Sequence, residues 1–123
     1  MAITVRRIDE LMGHTLTKVV QIDECEIRFY RDDGKVVKML HHQDCCESVT
    51  IEDVSGDLSK LNGMVVEAEE VTNDDLSPEP EVYYDDDVLW TFYKIGTVNE
   101  FVCIRWLGTS NGYYGIEVSI MVE

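Results

Sequence analysis

The chain has 123 residues, 45% of them hydrophobic and 28% charged, which suits one packed domain and excludes both a wholly disordered chain and two domains of ordinary size. Twenty-five Asp and Glu against ten Lys and Arg leave a net charge of −15. That balance argues against a nucleic-acid surface and against an anionic membrane surface, because both need clustered Lys and Arg, and no apolar run approaches the ~20 residues that cross a bilayer as a helix.

Residues 4–12 read as one or two helical turns, with Thr4 as cap and Gly13 just past the end. The same N-terminal stretch meets Asp9 and Glu10 at once and has no apolar segment before a small-residue cleavage site, so it does not read as a signal peptide. An intracellular location is expected, in which Cys25, Cys45, Cys46 and Cys103 stay reduced. The β-branched residues of 15–22 predict a strand. Residues 24–31 and 35–40 flank Asp32-Asp33-Gly34 and predict a hairpin, since an Asp-Gly turn supplies the positive φ that a tight connection needs. A short strand at 49–53, a single helical turn at 56–61 and a strand at 64–71 follow.

Residues 61–93 hold ten acids and no Lys or Arg. Within them, 72–87 contains both prolines, Pro78 and Pro80, lacks periodicity and is expected as an exposed, weakly ordered acidic loop. Residues 88–95 and 101–107 are apolar, aromatic and β-branched around a Gly-containing link at 96–100, the pattern of a second hairpin. A terminal strand at 116–122 completes about seven strands and one or two short helices. The expected fold is α+β: a β-rich single domain, 1–123, built mainly of antiparallel hairpins.

His41-His42-Gln43-Asp44-Cys45-Cys46 places five potential metal ligands in six residues, but neighbouring side chains of an extended segment point to opposite faces, and no second Cys or His cluster completes a set of four. No metal and no cofactor is therefore expected; the segment reads as a strand end with a packed cysteine, or as a histidine touching ligand. A nucleophilic enzyme needs a base placed against a Cys or Ser, and neither a Gly-x-Ser-x-Gly elbow nor a phosphate loop is present, so catalysis is not expected.

The segment richest in binding chemistry is Gly108-Thr109-Ser110-Asn111-Gly112-Tyr113-Tyr114-Gly115. It offers backbone access, hydroxyl and amide hydrogen bonds and two stacking faces, beside Arg105 and Trp106. A tight turn with aromatic packing fits the same residues. Trp90 and Phe92, two apart and hence on one face, read either as core or as a stacking wall. An isolated Arg105 in a chain poor in bases suits a phosphate, and Arg28 or Arg31 offers the same short-range charge.

Asp44-Cys45-Cys46-Glu47, Gly56-Asp57-Leu58, Gly63, Glu67-Ala68-Glu69 and Ser110-Asn111-Gly112-Tyr113-Tyr114-Gly115 together resemble a family of small phage and prophage proteins, most clearly over residues 44–115. That family is similar to the Thoeris anti-defence sponges, which bind cyclic ADP-ribose isomers made by bacterial TIR enzymes and sequester them uncleaved. Relatives take up cyclic oligonucleotides, and the sponges are β-rich homo-oligomers with ligand held between subunits. The resemblance implies a cyclic nucleotide partner, self-association and action in the cytoplasm of an infected bacterial host. It puts Phe92, Arg105, Thr109 and Asn111 among the ligand contacts, to which residue chemistry adds Tyr113 and Arg28. The Gly108-Thr109-Ser110 run departs from the more polar run of the sponges and leaves the ligand open. The competing reading is an acidic protein inhibitor of a host defence enzyme, its base-free stretch imitating nucleic acid.

Overall fold

In the computed structural model, which describes residues 4–43, 47–73, 87–110 and 115–123, the β-branched and aromatic stretches form nine strands. They are β1 (Thr4–Arg6), β2 (Thr15–Asp23), β3 (Glu26–Arg31), β4 (Val36–Leu40), β5 (Ser48–Ser55), β6 (Gly63–Asn73), β7 (Asp87–Thr97), β8 (Phe101–Ser110) and β9 (Ser119–Val122). They join in one sheet in the order β1-β9-β4-β3-β2-β6-β7-β8-β5, and every described pair is antiparallel. The fold is thus β-rich, as expected. The helical part of the α+β expectation is not met: the described residues hold no α-helix, only 3-10 turns at Ile8–Leu11 and Leu58–Lys60.

Long-range pairing accounts for the first of these differences. Thr4–Arg6 pair with Ile120–Val122, and a chain drawn into a ladder cannot also coil as a helix. What remains is one 3-10 turn that buries Ile8 and Leu11, three residues apart and so on one side of it. The second turn is short because it is set locally, by Asp57 accepting a hydrogen bond from the Ser59 amide at 2.9 Å. Among the described residues no helix is long and apolar enough to cross a membrane.

β2 and β6 meet through two residue pairs only, Thr15 with Met64 and Leu16 with Gly63. Past that corner the sheet divides into two leaves, β1-β9-β4-β3-β2 and β6-β7-β8-β5, whose apolar faces close on each other. Alternation decides what enters the space between them: Ile27, Phe29, Val37 and Met39 from one leaf meet Val49, Tyr93, Ile95, Ile104 and Trp106 from the other. Trp106 is completely buried, and its Nε1 donates to Met39 Sδ across the gap at 3.2 Å. Truncation of a ring at such a position typically costs about 3–5 kcal/mol.

The first hairpin has the expected turn. The Arg31 amide donates to the Lys35 carbonyl at 2.9 Å and the Gly34 amide to the Arg31 carbonyl at 3.2 Å, closing a three-residue loop in which Gly34 takes φ +86°. The second hairpin is longer than expected. β7 and β8 pair from Asp87 with Ser110 to Gly96 with Phe101, and the Thr97 amide donates to the Glu100 carbonyl at 2.8 Å. Of the acidic stretch at 72–87, residues 74–86 lie outside the described residues; at its ends, Thr72 and Asn73 belong to β6 and Asp87 to β7.

Candidate functional site

The outer side of the β6-β7-β8-β5 leaf carries the chemistry. Tyr93 and Ile95 point into the core, so Trp90 and Phe92 point away from it; Ile104 and Trp106 point in, so Arg105, Leu107 and Thr109 point out. The β7–β8 register sets Phe92 opposite Arg105, Trp90 opposite Leu107 and Val88 opposite Thr109. The Trp90 and Phe92 rings stack with centroids 6.5 Å apart and planes 26° apart. The Arg105 guanidinium carbon lies 5.3 Å from the centroid of the same indole.

Trp90 is only 4% exposed and stacks on Phe92, yet stands outside the core cluster, so it joins parts of both readings of its spacing with Phe92: buried like a core residue, and stacked on the outer face. Its Nε1 and the Nε of Arg105 are both sealed from solvent without a hydrogen-bond partner among the described residues. An unsatisfied buried donor costs about 1–3 kcal/mol. Two of them on touching side chains, one cationic, form a site suited to an anion with oxygen acceptors. Arg31 also has a buried Nε without a partner, but its charge is met by Asp33, whose carboxyl is held below its ordinary range first by Arg31 and then by the Lys35 amide.

Of the residues expected to bind ligand, Phe92 and Arg105 are neighbours. Thr109 shares their face four residues farther along β8, about 13 Å at the rise of a strand. Asn111 and Tyr113 lie outside the described residues. Arg28 is not brought to the others. It faces outward from β3 on the opposite leaf, in a shallow groove of about 350 Å³ with Tyr30, Val36, Lys38 and Glu123. There Glu26, 2.5 Å away, and then Tyr30 raise its already high pKa. Alternation along β3 forces this, because Ile27 and Phe29 occupy the inward positions. One ligand cannot touch Arg28 and Arg105 of the same subunit.

Trp106 and Gly108, expected near the ligand, serve packing instead. Trp106 is core, and a Cβ on Gly108 would stand 2.6 Å from the Ile116 carbonyl oxygen. His41 binds two acceptors, the Glu117 carbonyl at 2.9 Å from Nδ1 and Glu47 Oε2 at 3.0 Å from Nε2. These two contacts, the second to the buried Glu47, tie the end of β4 to the approach of β5 and of β9. Asp44, Cys45 and Cys46 lie outside the described residues, among which no three His, Cys, Asp or Glu gather as a metal site. Tyr93, on the inner face of β7, is held protonated: burial, and after it the neighbouring Glu70 carboxylate, push its phenol above the ordinary range.

Residues 9–120 match the model of a family described as a domain of unknown function, DUF7448. The chain belongs to that family. The match runs from the first 3-10 turn into β9, so the DUF7448 domain takes in both leaves and the Trp90–Phe92–Arg105 face. No curated protein and no solved structure matches.

The sequence offers Trp90 only as core or wall and does not reveal that its Nε1 is buried without a partner beside Arg105. The signal available was its place one strand pair from Arg105, legible only once the hairpin register is known.

Proposed function

We propose that this protein binds a cyclic nucleotide signal on the outer face of β7 and β8 and sequesters it without cleaving it, as a phage anti-defence protein acting in the cytoplasm of an infected bacterium. The observation that carries the reading is the pair of unpartnered donors, Trp90 Nε1 and Arg105 Nε, beside the stacked ring of Phe92. A phosphodiester or pyrophosphate oxygen supplies the missing acceptor, and Phe92, half-buried, offers a ring edge and face to a base. Thr109 is a polar contact for a ligand long enough to follow β8, and Asn111 and Tyr113 continue that line in sequence. The resemblance to the anti-defence sponges supplies the class of signal.

The charge of −15 opposes any anion at long range. Screening over ~8 Å at physiological salt removes much of that field and leaves the contact terms, to which the half-buried Arg105 guanidinium contributes most. Self-association rests on the resemblance alone; Trp90 and Trp106, 4% and 0% exposed, offer it no apolar surface.

The test is calorimetry with cyclic ADP-ribose isomers and cyclic oligonucleotides, followed by heat denaturation and mass spectrometry of the released ligand. Binding with the ligand recovered intact is expected. Recovery of a cleaved product makes the protein an enzyme, and no heat across the panel transfers the reading to an acidic protein inhibitor.

A further inference from the structure

The turn joining β7 to β8 is unusually apolar for a loop tip. Val98 is 65% exposed and Phe101, the first residue of β8, 48%. Loop tips ordinarily carry Gly, Asn, Asp or Ser, and large apolar side chains exposed as a group mark an interaction surface. The surrounding chain extends the group. The Val98 amide donates to the Met64 carbonyl at 3.3 Å, and the Gly13 amide to the Val65 carbonyl at 3.1 Å, which brings Met12, Met64 and Val66 to the same end of the molecule, all at least 45% exposed. Gly96 lets Phe101 lie flat there: a Cβ on it would meet Phe101 Cδ2 at 3.2 Å and Glu67 Cβ at 3.5 Å.

Acids edge this patch. Glu67 stands on the far side of Gly96 from Phe101, Glu100 is in the turn itself, and Asp9 and Glu10 precede Met12. The patch lies at the mouth of a 33-residue run, 61–93, without a base.

We propose that the β7–β8 tip docks a basic amphipathic segment of another protein, apolar side chains on Phe101, Val98 and Met64, with Lys or Arg of the partner against Glu67 and Glu100. Charge complementarity selects this occupant over a second copy. A symmetric dimer through the tip would gather Glu67 and Glu100 of both copies into one interface with no base of the tip to meet them, between chains that carry −15 apiece. Phe101 lies on the outer side of β8 four residues before Arg105, about 13 Å away, so the tip uses side chains other than those of the ligand reading and is tested independently of it.

The experiment measures anisotropy of a short fluorescein-labelled amphipathic peptide of Leu and Lys, and of its Leu and Glu counterpart, with the full chain and with a Val98→Ser/Phe101→Ser variant. The variant keeps the charge and changes exposed side chains, and its thermal melt checks the fold. Glu67→Lys is the second variant. Binding of the Lys peptide alone, weakened at least about tenfold by each variant, is the expected result. Equal binding to the serine variant means that the peptide adheres to acidic surface at large and overturns the proposal, as does equal binding of the Glu peptide or no binding. A dimer in sedimentation that the serine variant dissolves overturns it too, by making a second copy the occupant.

Discussion

Among the described side chains, two arginines face outward from this sheet, one on each leaf, and their surroundings differ. Arg28 lies on β3 with a third of its side chain exposed and has a carboxylate, Glu26, on its own strand two residues away. Arg105 lies on β8 against the Trp90 indole with its Nε sealed, and although Asp53 is its register partner on β5 the two form no ion pair. The first is an exposed ion pair, a kind that contributes little and fades in salt. The second keeps a donor shielded from water and unanswered, an arrangement that proteins retain where a ligand completes it. A positive charge on a strand is therefore informative only together with what already neutralises it.

The comparison is broken most directly by removing each charge in turn. Arg105→Ala should weaken binding of the cyclic nucleotide that calorimetry identifies by about 2–5 kcal/mol, while Arg28→Ala leaves its affinity within the error of the titration. The reverse order would move the site to the β3–β4–β9 groove. Gly34→Ala probes the Arg28 leaf by itself. A Cβ there meets nothing but forces an L-residue to φ +86°, so chemical denaturation should report a loss of about 1–2 kcal/mol, with ligand affinity unchanged.

Trp90→Phe sharpens the contrast on the other leaf. It keeps a ring in the stack and deletes the Nε1 donor, and titration should show affinity lower by about 1–2 kcal/mol. Unaltered affinity would mean that the anion does not reach the indole. The smallest effect is expected at Asp33, whose folded-state carboxyl is depressed by Arg31. A depressed carboxylate lends stability above its unfolded pKa, near 3.9, and loses it as pH falls through the folded value. Melting curves of Asp33→Asn and the parent chain should thus differ slightly at neutral pH and converge once the pH has fallen below the ordinary carboxylate range. A gap that persists in acid would assign the difference to the turn and not to the ion pair.

The sequence alone determined the strands and one turn closely, because these are local matters. Alternating β-branched and aromatic runs mark β2 to β4 and β6 to β8, and Asp32-Asp33-Gly34 makes its turn through a glycine φ that needs no distant contact. The helical turns expected over 4–12 were confined to Ile8–Leu11 because the competitor for residues 4–6 was 114 to 118 residues away, in the pairing of Thr4–Arg6 with Ile120–Val122. Register was the other matter beyond local reach. A hairpin closed around 96–100 with Ile95 opposite Phe101 would set Phe92 against Ile104; the actual closure, with Gly96 opposite Phe101, sets it against Arg105. Because side chains alternate with period two, that one-residue difference decides which residues share a face with Phe92 across the strands. The leaf on which each arginine lies, and so the separation of Arg28 from Arg105, followed only from the two-pair corner between β2 and β6, where burial of the shared core closes the sheet on itself.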